Sequence, residues 1–259
     1  MHKSCFSCGR FILCMSPFLL FAFIYNSMRY YPNYLLGDID IEGVYNLEKS
    51  LFGIMSDGNL LTPNEYFRIN HNAVMDILSG IFYLCWVPLP VFYTIWLYAT
   101  KKRQLAFRLA SAFLFVNLIG FCGYYIHPAA PPWYIMQYGI TPILSTPGNV
   151  AGFENFDSIL GINVFHSIYS GNANVFAAIP SLHAAYCPIA LFYAWKVKDN
   201  RVWICILSIV SVGIWFSAVY SGHHYIIDVL LGILTTIIGI AIYEYIYPHI
   251  PRKWLTWLD

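Results

Sequence analysis

Charge is scarce in this sequence of 259 residues, which contains only 14 lysines and arginines and 13 aspartates and glutamates. Charged residues make up 10% of the chain and hydrophobic residues 59%, whereas a soluble domain carries about 25% charged residues. The formal net charge of +1 gives no sign of a basic surface that would bind nucleic acid. The composition predicts a polytopic integral membrane protein, and we expect residues 1–259 to form a single membrane domain.

Metal-ligand motifs are equally scarce. The seven cysteines are scattered, and Cys5-x-x-Cys8 is half of a zinc site with no second pair in the sequence. The other five cysteines lie in apolar segments, where they are most simply small core residues. We therefore predict neither a metal site nor a cofactor.

The sequence does contain long apolar runs. A membrane-spanning helix needs about 20 apolar residues, with a lower bound near 17. Six runs approach or exceed that length, the first and fourth being the shortest: residues 11–27, 76–99, 105–126, 181–195, 202–220 and 225–247. The pattern predicts an all-α bundle of six transmembrane helices, with a catalytic core at about residues 76–247.

The connection over residues 28–75 has a helical pattern of its own. Its apolar residues recur at helical spacing among charged ones: Val44, Leu47, Leu51 and Phe52 lie between or beside Glu42, Glu48 and Lys49. This pattern predicts an amphipathic helix in the membrane interface.

The most informative stretch joins the fifth and sixth runs and contains His223, His224 and Asp228. His224 and Asp228 are four residues apart, so on a helix they share one face, one turn apart. A carboxylate there can accept a hydrogen bond from one imidazole nitrogen and leave the other free as a nucleophile or base. The alternative is a pair that only satisfies itself inside a polar bundle.

A second histidine lies at the start of the fourth run, in Pro180-Ser181-Leu182-His183. Ser181 is a natural N-cap, and the free N–H groups of a helix start form an anion site. His183 would then lie in the first turn, beside any bound anion. Two helix starts that each carry a histidine suggest phosphoryl transfer with a nucleophile and a separate acid/base.

The distribution of lysine and arginine predicts the orientation of the chain. With six spans and the N-terminus inside, the inner segments hold eleven of these residues and the outer segments only Arg29, Lys49 and Arg68. This arrangement places His183 and His224 together on the extracytoplasmic or luminal face. The membrane would be the inner membrane of a bacterium, or the Golgi membrane of a eukaryote.

Three further residues are candidates for substrate contacts. His223 would point about 100° away from His224 on a helix, and either contacts the phosphate or is an interfacial histidine. His71 and Asp76 lie at the outer end of the second run, where they either contact a head group or cap a helix.

The paired motifs at His183 and at His224-x-x-x-Asp228 resemble the second and third motifs of the type-2 phosphatidic acid phosphatase superfamily. Four stretches are similar to its fungal-type inositol phosphorylceramide synthases: EGVYNLEKSLFGI from Glu42, TPNEYFRINHNAV from Thr62, PAAPPWYIMQYGITP from Pro128 and SGHHYIIDVLLG from Ser221. The resemblance covers about residues 38–240.

The resemblance implies a membrane phosphotransferase that moves phosphoinositol from phosphatidylinositol to ceramide. It implies that His224 is the nucleophile, that Asp228 orients it, and that His183 is the acid and then the base. Ser181 would hold the phosphate at the helix start. No metal or other cofactor is implied, and neither is an oligomeric state.

The chain departs from the superfamily at three basic positions. Gly120, His127 and Ala218 stand where the wider superfamily has one lysine and two arginines. Those cations grip a phosphomonoester of about two charges, so their absence suggests a phosphodiester substrate. His127 is the candidate substitute for one lost arginine.

Three alternatives stay open. A lipid phosphatase of the same superfamily would hydrolyse a monoester and need the missing cations. A sphingolipid transferase with another head group, such as choline or ethanolamine, would use the same three catalytic residues. A transporter or scaffold would have no use for two histidines and an aspartate on one membrane face.

Overall fold

The computed structural model describes residues 8–144, 146–171, 174–251 and 255–258. Cys5 of the Cys5–Cys8 pair lies outside these residues. The described chain is all-α, as predicted, apart from one short hairpin. Its helices are α1 (Cys8–Ser27), α2 (Glu42–Phe52), α3 (Pro63–Ile69), α4 (Ala73–Leu84), α5 (Pro88–Ala99), α6 (Arg103–Ile126), α7 (Pro132–Tyr138), α8 (Glu154–Leu160), α9 (Val164–Ser170), α10 (His183–Lys196), α11 (Arg201–Tyr220) and α12 (Ile226–Ile246).

Four helices in the described part of the chain, α1, α6, α11 and α12, are long and apolar enough to cross a membrane. Helices α4 and α5 add a fifth crossing if this pair, bent by 44°, is one span. The bend falls where Pro88 begins α5, because proline is tolerated in the first turn of a helix but not inside it. The protein is therefore an integral membrane protein with four or five candidate spans.

The predicted fourth span corresponds to α10, which has only 14 residues. A prediction of six transmembrane helices is therefore not confirmed. Helix α10 packs against α5, α6, α11 and α12, so most of its apolar surface is covered by protein. Its buried residues include five small ones that allow close packing: Ala184, Ala185, Cys187, Ala190 and Ala194.

The segment between α1 and α4 contains the predicted amphipathic helix, α2, and a hairpin that was not predicted. Strands β1 (Ile54–Ser56) and β2 (Asn59–Leu61) pair antiparallel around Asp57 and Gly58. Both turn residues have positive φ, 49° and 78°, as a two-residue hairpin turn requires. The Asp-Gly pair was the sequence signal for this turn.

A close approach joins the start of α10 to the first turns of α12. At Gly232 on α12, a Cβ atom would collide with the carbonyl oxygen of Ser181. The Ser181 N–H donates to the Asp228 carbonyl oxygen at 2.9 Å. Since both helices carry a predicted catalytic residue at these ends, this contact brings those two ends together.

A polar cluster fastens the opposite end of α10. Arg108 on α6 makes two bonds to the Glu244 carboxylate on α12, at 2.8 and 2.5 Å. Tyr193 and Lys196 on α10 also donate to Glu244, the tyrosine at 2.7 Å. Helices α10 and α12 are thus joined at both ends.

Candidate active site

The two histidines singled out by the sequence face each other. Nδ1 of His183 lies 3.1 Å from Nε2 of His224, within hydrogen-bond distance. His183 is the first residue of α10. His224 lies in the link between α11 and α12, because α12 begins at Ile226. The prediction that His224 and Asp228 share one face of a helix is therefore wrong in its local structure.

Asp228 nevertheless lies beside His224. Its Oδ2 atom accepts the Tyr225 N–H at 2.9 Å, which caps the helix and keeps the preceding link non-helical. The same Oδ2 atom lies 3.4 Å from Nδ1 of His224. That separation is an ion-pair distance, and neither His224 Nδ1 nor Asp228 Oδ1 has an aligned hydrogen-bond partner among the described residues.

The link that carries His224 is held by backbone contacts from several elements. The N–H groups of His223 and His224 both donate to the Ala218 carbonyl oxygen, at 3.1 and 2.9 Å. Asn64 on α3, which is 1% exposed, donates to the carbonyl oxygens of Val219 and His224 at 2.8 and 2.9 Å. Asn64 was missed as a site residue, although it lies in the stretch from Thr62 that carries the family resemblance.

Aromatic rings enclose His183. The rings of Tyr83 and Trp86, from the end of α4 and the turn after it, lie 4.9 and 4.5 Å from the imidazole. Together with His223 and His224 they line a cavity of about 220 Å³. Among the described residues, neither lysine nor arginine lines this cavity.

Ser181 is fully buried next to these residues. Leu182, not Ser181, occupies the N-cap position of α10, directly before the helix begins at His183, and no side chain caps the helix there. The prediction of a Ser181 N-cap is therefore wrong by one residue. The Ser181 hydroxyl has no hydrogen-bond partner in the described part of the chain. Its predicted phosphate contact stays a prediction.

His223 uses both ring nitrogens within the protein. Nε2 lies 3.2 Å from the Asn149 carbonyl oxygen, which can only accept, so Nε2 carries the proton and Nδ1 accepts from the Ser221 hydroxyl at 3.0 Å. Burial, reinforced by the nearby His224, lowers the pKa of His223 to about 3. A neutral His223 lines the cavity with its ring, and its predicted phosphate contact stays a prediction.

None of the three positions at which the superfamily carries a lysine or an arginine places a lysine or an arginine side chain in the cavity. His127 is about half exposed and pairs with Asp40 at 3.1 Å, and it does not line the cavity. A side chain at Gly120 would collide with Leu182, next to His183. Ala218 is fully buried. The predicted role of His127 as a substitute for arginine stays a prediction without a contact to support it.

His71 and Asp76 lie in a second cavity, of about 270 Å³. Asp76 accepts a hydrogen bond from the Tyr220 hydroxyl at 2.8 Å and lies 3.1 Å from Nδ1 of His71. The link before α12 separates the two cavities, because Ser221 and Gly222 line this one while His223 and His224 line the other. The structure therefore groups His183, His224, Asp228 and Ser181, and places His71 and Asp76 apart from them.

Fold and site together define an all-α integral membrane protein whose buried polar centre contains two histidines and an aspartate. No group of three or more metal-ligating side chains is arranged to hold an ion in residues 8–144, 146–171, 174–251 and 255–258. The family model of the PAP2 superfamily matches residues 61–242, which include all three polar residues. The chain belongs to the PAP2 superfamily.

Several characterised proteins are similar to this chain. The phosphoinositol dihydroceramide synthase of Bacteroides thetaiotaomicron is 57% identical over 229 residues, which are 88% of this chain and 75% of that protein. The catalytic subunit of the inositol phosphorylceramide synthase of Saccharomyces cerevisiae is 28% identical over 91% of this chain, but the match covers 56% of its own length. The inositol phosphorylceramide synthase of Candida albicans is 28% identical over 72% of this chain and 36% of its own length. No solved structure matches the chain.

Proposed function

We propose that this protein transfers phosphoinositol from phosphatidylinositol to ceramide or dihydroceramide and releases diacylglycerol. The observation that carries this proposal is the 57% identity, over 88% of the chain, to a phosphoinositol dihydroceramide synthase. The facing histidines supply the chemistry that such a transfer needs. We further propose that the membrane helices and the segment over residues 28–75 form one catalytic domain.

The first half of the reaction forms a phosphohistidine. Nε2 of His224 attacks the phosphorus of the donor lipid, and the bond from phosphorus to the diacylglycerol oxygen breaks. His183, as an imidazolium, donates its proton to that oxygen, so neutral diacylglycerol leaves. The Asp228 carboxylate stabilises the positive charge that develops on His224.

The second half passes the head group to the acceptor. Neutral His183 removes the proton from the primary hydroxyl of ceramide, and the hydroxyl oxygen attacks the phosphorus. The bond to His224 then breaks, and the two histidines return to their starting protonation states. Acid/base assistance of this kind contributes about 10²–10⁴-fold to the rate.

The distance between the histidines sets a requirement for the reaction. A nucleophile must lie about 3–3.5 Å from the phosphorus it attacks, with the leaving oxygen on the far side. The 3.1 Å between His183 Nδ1 and His224 Nε2 leaves no space for that arrangement. The two imidazoles must therefore separate when the substrate enters between them.

The charge and surface of the cavity favour a lipid phosphodiester. A phosphodiester carries one negative charge, which the His183 imidazolium and the α10 helix start can balance. A phosphomonoester carries about 1.5–2 charges and would lack a lysine or arginine partner here. The aromatic lining from Tyr83, Trp86 and Tyr186 suits an apolar acceptor better than water.

The test is a head-group transfer assay with the purified full chain. Phosphatidylinositol labelled in its inositol ring is supplied with and without ceramide. We expect labelled inositol phosphorylceramide, with release of diacylglycerol over many turnovers, only when ceramide is present, and no product with the His224→Ala variant. Labelled choline or ethanolamine lipids serve as competing donors. Efficient transfer from either of them, and not from phosphatidylinositol, would contradict the proposed head group.

A further inference from the structure

Glu48 on α2 is buried, and no lysine or arginine among the described residues contributes to its electrostatics. The helical pattern of the sequence suggested a polar outer face for it, but its exposed fraction is 0%. Its Oε1 atom accepts the Ile226 N–H at 2.9 Å, and its Oε2 atom accepts the Ile227 N–H at 3.1 Å. The adjacent Lys49 donates to the Tyr45 hydroxyl instead. A pair of backbone N–H groups, 178 and 179 residues away, thus partners this carboxylate.

Those two N–H groups belong to the first residues of α12. The first N–H groups of a helix have no partner within the helix, and a buried one left unpaired is destabilising. Glu48 satisfies both, and its negative charge lies at the positive end of the helix dipole. Burial raises the pKa of Glu48, the two N–H groups oppose that rise, and the Asp228 charge adds to it.

Asp228, one residue further along α12, has a different task. Its Oδ2 atom accepts the Tyr225 N–H and lies 3.4 Å from His224 Nδ1. Without Glu48, the unpaired N–H groups of Ile226 and Ile227 would attract the nearest carboxylate, which is Asp228 in the same helical turn. That attraction would draw Asp228 away from His224.

We propose that Glu48 is a positioning residue of the transfer reaction. By accepting the Ile226 and Ile227 N–H groups, it leaves the Asp228 carboxylate to orient His224 and to stabilise its charge. Glu48 lies outside residues 61–242, which the superfamily model matches, so the segment before the superfamily core supplies it. The activity tests below rest on the proposed function.

The first test compares substitutions on one face of α2 with a matched control. Glu48→Gln keeps the size of the side chain but presents an amide N–H₂ to one of the two N–H groups. We expect kcat to fall about 10- to 100-fold, as for other groups that orient a reacting residue, with KM for phosphatidylinositol nearly unchanged. Glu48→Asp should recover part of kcat. Glu42→Gln is the control, because Glu42 is exposed and accepts a hydrogen bond at 3.5 Å from Asn46 on the same helix.

A double-mutant cycle tests whether Glu48 acts through Asp228. If it does, adding Glu48→Gln to Asp228→Asn should reduce kcat by less than about threefold, because the two effects are not additive. An equal loss of kcat in both backgrounds would overturn the inference. Wild-type kcat in Glu48→Gln would overturn it as well. Glu48→Asp replaces Glu48→Gln in the cycle if the glutamine variant does not elute as a folded protein.

A readout without turnover separates this inference from the proposed function. The ¹⁵N resonances of the His224 imidazole, assigned by their loss in His224→Gln, report on its carboxylate partner. We expect the Nδ1 resonance to shift in Glu48→Gln and not in Glu42→Gln. An unshifted resonance would overturn the positioning role, whatever the substrate. A wild-type protein without phosphoinositol transfer, but with the shift, would overturn the proposed function alone.

Discussion

Nδ1 of His183 and Nε2 of His224 lie 3.1 Å apart, so only one proton can occupy the line between them. Protonation of one imidazole therefore opposes protonation of the other on the facing nitrogen. The line between the two rings therefore holds one N–H donor and one free nitrogen lone pair at a time. A double displacement needs this combination, because the nucleophile must be neutral while the group that assists the leaving oxygen must be protonated.

The first prediction concerns the roles of these residues. His224→Ala and His183→Ala should each lower turnover by at least about 10²-fold, because each removes a group that bonds to or exchanges a proton with the substrate. Asp228→Asn should also be severely impaired, since it keeps the shape but loses the charge beside His224. Initial rates of head-group transfer, with thermal midpoints in detergent as the folding control, check these expectations. Near-normal activity of His183→Ala, together with an inactive His223→Ala, would mean that His223, and not His183, is the acid/base.

The second prediction concerns the contact between α10 and α12. In Gly232→Ala the new methyl group would meet the Ser181 carbonyl oxygen, so the two helix starts must move apart. We expect a loss of about 1–3 kcal/mol in stability from overpacking and a larger loss of activity, because His183 moves relative to His224. Thermal denaturation and transfer rates measure the two effects.

Gly239→Ala is the control for that substitution. It lies on the same helix, and its new methyl group would meet chiefly the side chains of Val116 and Ile119, which can adjust. Gly239→Ala should therefore keep most of its activity. Equal activity of the two variants would show that the approach at Gly232 does not determine the geometry of the histidines.

Part of this site was predictable from the sequence. The spacing of the apolar runs indicated an all-α membrane protein, and the motifs at His183 and His224 indicated residues that the fold brings together. The sixth apolar run was predicted to begin at Tyr225, and α12 begins one residue later, at Ile226. The prediction that failed was a helical His224, because Asp228 caps the helix at the Tyr225 N–H and His224 lies before its first turn. The error affected the local structure but not the pairing of His224 with Asp228.

Contacts between distant segments were not predictable. The burial of Glu48 depends on the Ile226 and Ile227 N–H groups, and helical periodicity within residues 42–52 contains no information about them. The separation of His71 and Asp76 from the histidine cavity likewise depends on the path of the link before α12. Patterns in a single sequence report local periodicity, whereas these features arise from tertiary packing.

The third prediction concerns acid stability. The pKa of His223 is lowered to about 3, below its ordinary value of 6.5, so protonation is costly in the folded state. Its contribution to stability is complete above about pH 6.5 and is lost as the pH falls toward 3. The thermal midpoint should drop between pH 7.5 and pH 4.5, and the drop should be smaller in His223→Gln. An equal drop in the wild type and in His223→Gln would show that protonation of His223 does not cause it. His249→Gln, which changes an exposed histidine, is the control.

The fourth prediction concerns the orientation in the membrane. If the chain crosses the membrane six times, lysine and arginine are concentrated on the inner segments, and we expect both histidines on the extracytoplasmic or luminal face. With native cysteines replaced, Asn59→Cys and Leu144→Cys should react with a membrane-impermeant thiol reagent in sealed, right-side-out membranes. All three test positions, including Lys101→Cys on the predicted inner side, are exposed. Labelling of Lys101→Cys alone would reverse the orientation.

The last prediction concerns transfer against hydrolysis. The positions at which the superfamily carries a lysine and two arginines hold Gly120, His127 and Ala218, and among the described residues no lysine or arginine lines the histidine cavity. A doubly charged phosphomonoester would therefore be held poorly, while a singly charged phosphodiester needs only the imidazolium and the helix start. Phosphatidic acid should be a poor substrate, and a chelator of divalent metals should leave transfer unchanged. In the absence of ceramide, labelled phosphatidylinositol should leave an acid-labile adduct on the wild-type protein and none on His224→Ala. Rapid release of free phosphate from phosphatidic acid, with no ceramide-linked label, would instead make the protein a lipid phosphatase whose cations come from outside this cavity.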